Sequence, residues 1–194
     1  LAAYGLTFAL VGALGWGWSI LLSGKAWWSF NPELMLGIWV HEHLPLEELL
    51  FYPFGGALCV HLYVLGRGLG SGPSPKKLFT YFAVCTAAFA GVVWAYHPQS
   101  PSYYGYSQLV LYNGLCFVLL AFVARHLHVS GLALAVFVLG VIGFGWDYVG
   151  FTMEWWSYHA VTGVEISVVP IEDFNFFLFA PPAAISIYVC LLYT

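Results

Sequence analysis

The sequence has very little charge. Of its 194 residues, 7% are charged, whereas an ordinary soluble domain has about 25%. Nine acidic and five basic residues cannot form the polar surface that a soluble domain of this length needs. The composition therefore excludes a water-soluble fold. The net charge of −4 and the lack of a basic cluster also argue against a nucleic-acid partner.

Cysteine motifs and nucleotide-binding motifs are missing as well. No GxGxxG follows a strand pattern, and there is no P-loop. The glycines Gly12, Gly15 and Gly17 fall inside an apolar run, where they indicate close helix packing. Four cysteines stand singly without CxxC spacing, which excludes a disulfide framework and a cysteine zinc site. The sequence therefore predicts no bound cofactor and no metal. The cysteines are Cys59, Cys85, Cys116 and Cys190.

Long apolar runs dominate the chain, and 61% of its residues are hydrophobic. Runs bounded by Gly, Pro and charge predict an all-α, polytopic membrane bundle of about six transmembrane helices. The chain is then a multi-pass integral membrane protein, with residues 1–194 in a single transmembrane domain. The predicted spans are about 2–22, 44–65, 78–96, 107–124, 131–151 and 169–193.

The distribution of charge predicts an orientation in the membrane. No Asp or Glu occurs from residue 49 to residue 146, and four of the five basic residues fall in that interval. These bases lie in loops on one side, which the positive-inside tendency makes cytoplasmic. Both termini should then face the cytoplasm, and the acidic loops should face the opposite side.

An internal repeat links the two ends of the sequence. Leu44–Tyr52, LPLEELLFY, recurs as Val169–Phe177, VPIEDFNFF. Upstream, Trp27–Phe30, WWSF, recurs as Trp155–Tyr158, WWSY. Because four helices separate the copies, they run parallel, as a pseudo-twofold axis along the membrane normal requires. The sequence predicts two pseudo-repeats, about 1–96 and 107–194, with both acidic pairs facing one side.

The acidic pairs have two interpretations. Glu47-Glu48 and Glu172-Asp173 each follow a proline in the first turn of a helix, where carboxylates suit the helix dipole. However, four carboxylates in or near hydrocarbon without nearby bases are costly. If a pseudo-twofold brings them together, at least one should hold a proton, which makes a ready general acid and base.

A further carboxylate and several aromatic residues belong to the same candidate site. Asp147 lies near the end of its helix, where it opposes the dipole, so we expect it to share a proton with Glu172 or Asp173. Aromatic rings within a turn of the acids can stabilise a carbocation by cation–π attraction. The candidate substrate-binding residues are Phe51, Trp146, Phe176 and Phe177.

These motifs resemble the membrane lycopene β-cyclases, which occur as two-subunit bacterial enzymes or as fused forms in archaea and fungi. The likeness covers about residues 16–181 and includes the Trp-rich loops, both acidic motifs and Trp146-Asp147. The first copy departs from the pattern, since Ser19 stands where the second has Asp147. By this resemblance the catalytic residues are Glu47, Glu48, Asp147, Glu172 and Asp173.

The resemblance implies a redox-neutral cyclisation of the acyclic end of lycopene. A carboxylic acid protonates the terminal double bond, the neighbouring double bond captures the tertiary cation, and a carboxylate removes a ring proton to leave a β-ionone ring. The implied partners are lycopene, which is a lipid-soluble polyene, the membrane lipid, and other enzymes of carotenoid biosynthesis.

Three alternatives stay open at this point. Water could capture the same cation, which would make the protein a carotenoid hydratase or another isoprenoid cyclase. Acids on repeated helices also occur in proton-coupled transporters. Finally, His41-Glu42-His43 could begin a metal site of the kind used by membrane oxygenases.

Overall fold

The computed structural model describes residues 2–70, 74–96 and 103–193, which form a bundle of long apolar helices. Six helical segments are long and apolar enough to span a membrane, which confirms the predicted all-α polytopic fold. Parts of the predicted connecting loops, residues 71–73 and 97–102, lie outside the described residues. Five spans are single helices: α1 Ala2–Gly24, α2 Leu46–Gly66, α3 Pro75–Tyr96, α6 Val129–Thr152 and α7 Ile171–Tyr193.

The fourth span is not a uniform α-helix. It consists of α4 Tyr103–Gln108, a π-helical turn at Leu109–Asn113, and α5 Gly114–Val123. In a π-helix the hydrogen bonds join residues i and i+5, so residues five apart face the same side. The turn therefore points Gln108 and Asn113 towards the same neighbouring helix, α7. An α-helix would set them about 140° apart.

Short strands cover one end of the bundle, which the sequence did not predict. The loops α1–α2 and α6–α7 meet there, because β1 Trp28–Phe30 pairs with β4 Trp156–Tyr158. We call the β1–β4 pair the ribbon, and this end of the bundle the ribbon end. Each loop also has a hairpin just before the next helix: β2 Trp39–His41 with β3 Leu44–Pro45, and β5 Glu165–Ile166 with β6 Val169–Pro170.

Equivalent positions of the predicted repeat have the same local structure. Ser29 pairs with Ser157, its own counterpart, as a twofold axis through the ribbon requires. The turns after α1 and α6 both place a non-glycine residue in the left-handed region, Ala26 at φ 53° and Glu154 at φ 56°. Further along, Gly37 and Gly163 have φ of 77° and 76°. These equivalences support the predicted repeat.

Glycines allow the helices to approach closely, as is common in membrane bundles. A Cβ at Gly15 of α1 would overlap the Tyr52 ring of α2. In the second copy, a Cβ at Gly143 of α6 would overlap the Phe177 ring of α7. At the end opposite the ribbon, Gly131 of α6 packs against the backbone of Tyr63 on α2. Helices α2 and α6 therefore touch at that end.

Candidate active site

A cavity with about 520 Å³ of empty space lies beneath the ribbon, between the ribbon ends of α2, α6 and α7. Its walls combine three carboxyl groups with a shell of aromatic rings, and they include no Lys or Arg. The carboxyl groups belong to Glu48, Asp147 and Asp173. The aromatic residues are Trp28, Phe30, Phe51, Tyr52, Tyr104, Trp146, Trp156, Tyr158, Phe176 and Phe177.

In the first copy, two hydroxyl groups surround the Glu48 carboxyl group. The Ser19 hydroxyl donates a hydrogen bond to Glu48 Oε1 at 2.8 Å, and Ser19 Oγ lies 3.0 Å from the Tyr52 hydroxyl oxygen. Tyr52 also hydrogen-bonds to Glu48. Hydroxyl donors stabilise the ionised form of a carboxyl group. The two hydroxyl groups therefore orient the Glu48 carboxyl group, which lines the cavity.

In the second copy, two carboxyl groups contact each other. Asp147 hydrogen-bonds to Asp173, one of the two partners predicted for it. A hydrogen bond between two carboxyl groups needs a proton on one of them, so the pair stores a proton. Asp173 is 3% exposed, and its Oδ2 has no hydrogen-bond partner among the described residues. Both residues of the pair line the cavity, and one carboxyl oxygen there is buried without a hydrogen-bond partner in the described part of the chain.

Two tyrosines support this carboxyl pair from the side of the ribbon. Tyr158 hydrogen-bonds to Asp173 and to Tyr104. Burial, and then the nearby Asp173 carboxylate, raises the pKa of Tyr158 well above its usual value. The Tyr158 hydroxyl therefore keeps its proton and acts as a hydrogen-bond donor.

The other two candidate acids, Glu47 and Glu172, do not line the cavity and instead bind backbone N–H groups of the preceding loops. Glu47 Oε1 accepts a hydrogen bond from the backbone N–H of Leu36 at 2.6 Å. Glu172 Oε1 accepts one from the backbone N–H of Thr162 at 2.7 Å, and Glu172 is fully buried. Both bonds fix the loop immediately before a glycine with positive φ, Gly37 or Gly163. The two acids thus have equivalent positions and equivalent contacts.

Helix geometry explains why neighbouring acids separate in this way. Successive residues on an α-helix point about 100° apart, so only one acid of each pair can face the cavity. The sequence did not show which acid of each pair faces the cavity, because the inward face of a helix cannot be recognised when all of its faces are apolar.

The predicted substrate-binding residues Phe51, Trp146, Phe176 and Phe177 all line the cavity. Sequence reasoning missed the aromatic residues of the ribbon. Their signal was the alternation in WWSF and WWSY, since side chains alternate between the two faces of a strand. Trp28, Phe30, Trp156 and Tyr158 face the cavity.

A buried polar network behind the carboxyl pair was also missed. The Asn175 amide donates to Gln108 Oε1 and to Asn113 Oδ1, each at 2.9 Å. The Asn113 amide donates to Thr86 Oγ1 at 3.1 Å, which extends the network to α3. Gln108 also lies beside the Tyr104 hydroxyl group, which connects the network to the site. These residues hold the fourth span against α7.

An apolar groove continues the cavity into the membrane-spanning part of the bundle. We call it groove A; it lies between α2 and α6, has about 1040 Å³ of empty space, and shares five residues with the cavity. It extends along α2 from Phe51 to Cys59, about 12 Å at 1.5 Å per residue. Its rim is exposed towards the lipid, since Phe54 is 61% exposed and Ile142 is 53% exposed.

The histidine residues do not form a metal centre in the described part of the chain. No group of three or more His, Cys, Asp or Glu side chains there is arranged to hold a metal ion. His41 and His43 are exposed on the β2–β3 hairpin, away from the cavity.

Comparison with known proteins identifies the family of this chain. Searches of curated proteins and of solved structures match nothing. A family model described as lycopene cyclase matches residues 1–65 and 102–191. These ranges include both acidic motifs and both strands of the ribbon, and they leave out α3. Because the match covers most of an integral membrane chain with six candidate spans, the chain belongs to the lycopene cyclase family.

Proposed function

We propose that this protein converts the acyclic end of lycopene into a β-ionone ring by acid–base chemistry without a redox cofactor. One observation carries the proposal: a pair of carboxyl groups in contact and a separate third carboxyl group line the same aromatic cavity, which continues into an apolar groove. The family assignment supports a carotenoid substrate.

Asp173 is the proposed general acid. The proton that it shares with Asp147 is transferred to the terminal double bond of the polyene, and a tertiary carbocation forms at the adjacent carbon. Tyr158 holds the Asp173 carboxyl group in place and stabilises the carboxylate left after the transfer.

The aromatic walls stabilise the cation while it exists. Phe51, Trp146, Phe176 and Phe177 present ring faces and edges to the cavity, and each favourable ring contributes about 0.5–2 kcal/mol. The neighbouring double bond then attacks the cation and closes the six-membered ring, which moves the positive charge onto a ring carbon.

Glu48 is the proposed base. It removes a proton from the ring carbon next to the new cation, which leaves the ring double bond of the β-ionone group. One proton enters and one leaves, and no electrons are exchanged. Transfer of a proton from Glu48 back to the Asp147–Asp173 pair resets the site, and Asp147 interacts with Glu48 across the cavity.

Groove A is the proposed site for the rest of the polyene. Its walls are almost entirely apolar, it meets the cavity at the aromatic cage, and its rim is exposed towards the lipid. A linear polyene dissolved in the bilayer can therefore enter sideways between α2 and α6 and present one end to the carboxyl groups.

The direct test is product analysis with the isolated protein. The wild-type chain in lipid vesicles is given lycopene, with no flavin or nicotinamide nucleotide added. The pigments are then separated, and their masses are measured by mass spectrometry. We expect a product of unchanged mass that carries a β-ionone ring. A purified protein that drives proton flux but leaves lycopene unchanged would instead support the transporter alternative.

A further inference from the structure

The two faces of the ribbon have opposite character. Its inner face presents the four aromatic residues that line the cavity, whereas its outer face is polar. On the outer face, Ser29 Oγ lies 3.0 Å from Ser157 Oγ and 2.9 Å from His159 Nε2, and all three side chains are exposed. The ribbon therefore separates the cavity from the polar surface at this end of the bundle.

The rings on the inner face form a connected layer. The Trp28 ring lies 5.7 Å from both Tyr104 and Tyr158, measured between centroids. The rings of the other strand, Trp156 and Tyr158, pack against Phe151 of α6, with ring centroids 6.0 Å and 5.3 Å away. Trp28 is only 6% exposed. Contacts of this kind pack the layer between the two strands and the helices beneath them.

The proposed chemistry needs such a barrier. A tertiary carbocation reacts with whichever nucleophile reaches it first, and three carboxyl groups make the cavity attractive to water. If water adds, its oxygen bonds to the cationic carbon and its extra proton passes to a carboxylate. The product is then a tertiary alcohol, and no ring is formed.

We propose that the ribbon determines the product of the reaction, because its aromatic inner face keeps water away from the cation, so that the neighbouring double bond captures it. This inference rests on the proposed cyclisation. It identifies Trp28, Phe30, Trp156 and Tyr158 as residues that select cyclisation over hydration.

Gly150 of α6 offers a way to disturb the ribbon without changing a carboxyl group. It is buried, and a Cβ at this position would overlap the Trp156 ring. Gly150→Ala must therefore displace the Trp156 ring of β4 from its position against α6. Gly140 of the same helix has no atom within 4 Å of such a Cβ and does not line the cavity, so Gly140→Ala is the matched control.

The experiment compares wild type, Gly150→Ala, Trp156→Leu and Gly140→Ala, each given lycopene in vesicles prepared in H₂¹⁸O. We expect Gly150→Ala and Trp156→Leu to form a tertiary alcohol that carries ¹⁸O. Their ratio of alcohol to ring product should rise by about tenfold or more, since partitioning follows the difference between two barriers. Gly140→Ala should match wild type.

Several outcomes overturn the inference. Folded Gly150→Ala and Trp156→Leu proteins that make ring product alone, at any rate, would show that the ribbon does not control water. Folded variants that make neither product would make the ribbon a requirement for turnover instead. If Gly150→Ala does not fold, as judged by its elution from a sizing column, the ratio of alcohol to ring product made by Trp156→Leu tests the inference alone. Failure of the wild type to form any ring refutes the proposed function itself.

Discussion

At the scale of single residues, adjacent acids in each motif have different contacts. Glu48 and Asp173 face the cavity, whereas Glu47 and Glu172 bind backbone N–H groups of the preceding loops. All four could be predicted from the sequence as one cluster, because they share a motif. Their separation could not, since it depends on which face of a uniformly apolar helix points inward.

The first prediction compares the neighbouring acids of the second motif. Asp173→Asn keeps the size of the side chain but removes the proton donor, so ring formation should fall by about a hundredfold or more. Glu172→Gln keeps an oxygen that can accept the Thr162 N–H, so it should keep activity within about tenfold and lose at most about 1 kcal/mol of stability. Product formation and thermal unfolding in detergent measure the two effects. Equal loss of activity in both folded variants would contradict the assignment.

The second prediction concerns Asp147 and its counterpart Ser19. Asp147→Asn removes one carboxyl group of the proton-sharing pair, so ring formation should be abolished in a folded protein. Ser19→Ala removes only one hydrogen bond to Glu48, worth about 1 kcal/mol, so most activity should remain. An active Asp147→Asn protein together with an inactive Ser19→Ala protein would make the first copy the source of the proton.

At the scale of secondary-structure elements, the six spans could be predicted because a run of about 20 apolar residues is sufficient evidence for each. The ribbon and the π-helical turn could not be predicted in the same way. Each ribbon strand has three residues, and its partner lies more than a hundred residues away in the chain. The π-helical turn depends on amide contacts with α7, which no local pattern reveals.

The third prediction tests the buried amide network that holds the fourth span. Asn175→Leu leaves Gln108 and Asn113 without their shared partner, which should cost about 1–3 kcal/mol for each orphaned group. Thr86→Val removes only the outermost contact and should cost less. Thermal unfolding in detergent measures both variants. Equal stability of Asn175→Leu and wild type would mean that the network does not fix the fourth span.

At the scale of the whole molecule, the pseudo-twofold relates two grooves that differ in one respect. A second groove, groove B, lies between α1 and α7. Its residues Leu14, Gly15 and Trp18 are the counterparts of Ile142, Gly143 and Trp146 in groove A. Residues of the fourth span, Leu111, Tyr112 and Leu115, form part of the wall of groove B, but none lines groove A.

This difference agrees with the asymmetry of the carboxyl groups. The site has an Asp–Asp pair in one copy and Ser–Glu in the other, and its larger groove is exposed to lipid. The proposed mechanism accordingly takes the acid from one copy and the base from the other. The motif spacing could predict the duplication, but not which groove stays open, because that depends on how the fourth span packs.

The fourth prediction concerns orientation in the membrane. The pairing of Ser29 with Ser157 sets both residues at the same end of the bundle, and the segregation of basic residues predicts that this end lies on the non-cytoplasmic side. In a cysteine-free background, Ser29→Cys and Ser157→Cys should react with an impermeant maleimide from outside the cell. Ser74→Cys should react only after permeabilisation. The opposite pattern would reverse the proposed topology.

The central claim, proton transfer from the Asp147–Asp173 pair to the polyene, is tested most directly with deuterium. Isolated protein in vesicles is given lycopene in D₂O without a redox cofactor, and the mass of the product is measured by mass spectrometry. Because the carboxyl proton exchanges with solvent, each new ring should contain one deuterium, and folded Asp173→Asn should form labelled rings at least about a hundredfold more slowly. Rings that form without deuterium, or only after a flavin or nicotinamide nucleotide is added, would contradict the mechanism.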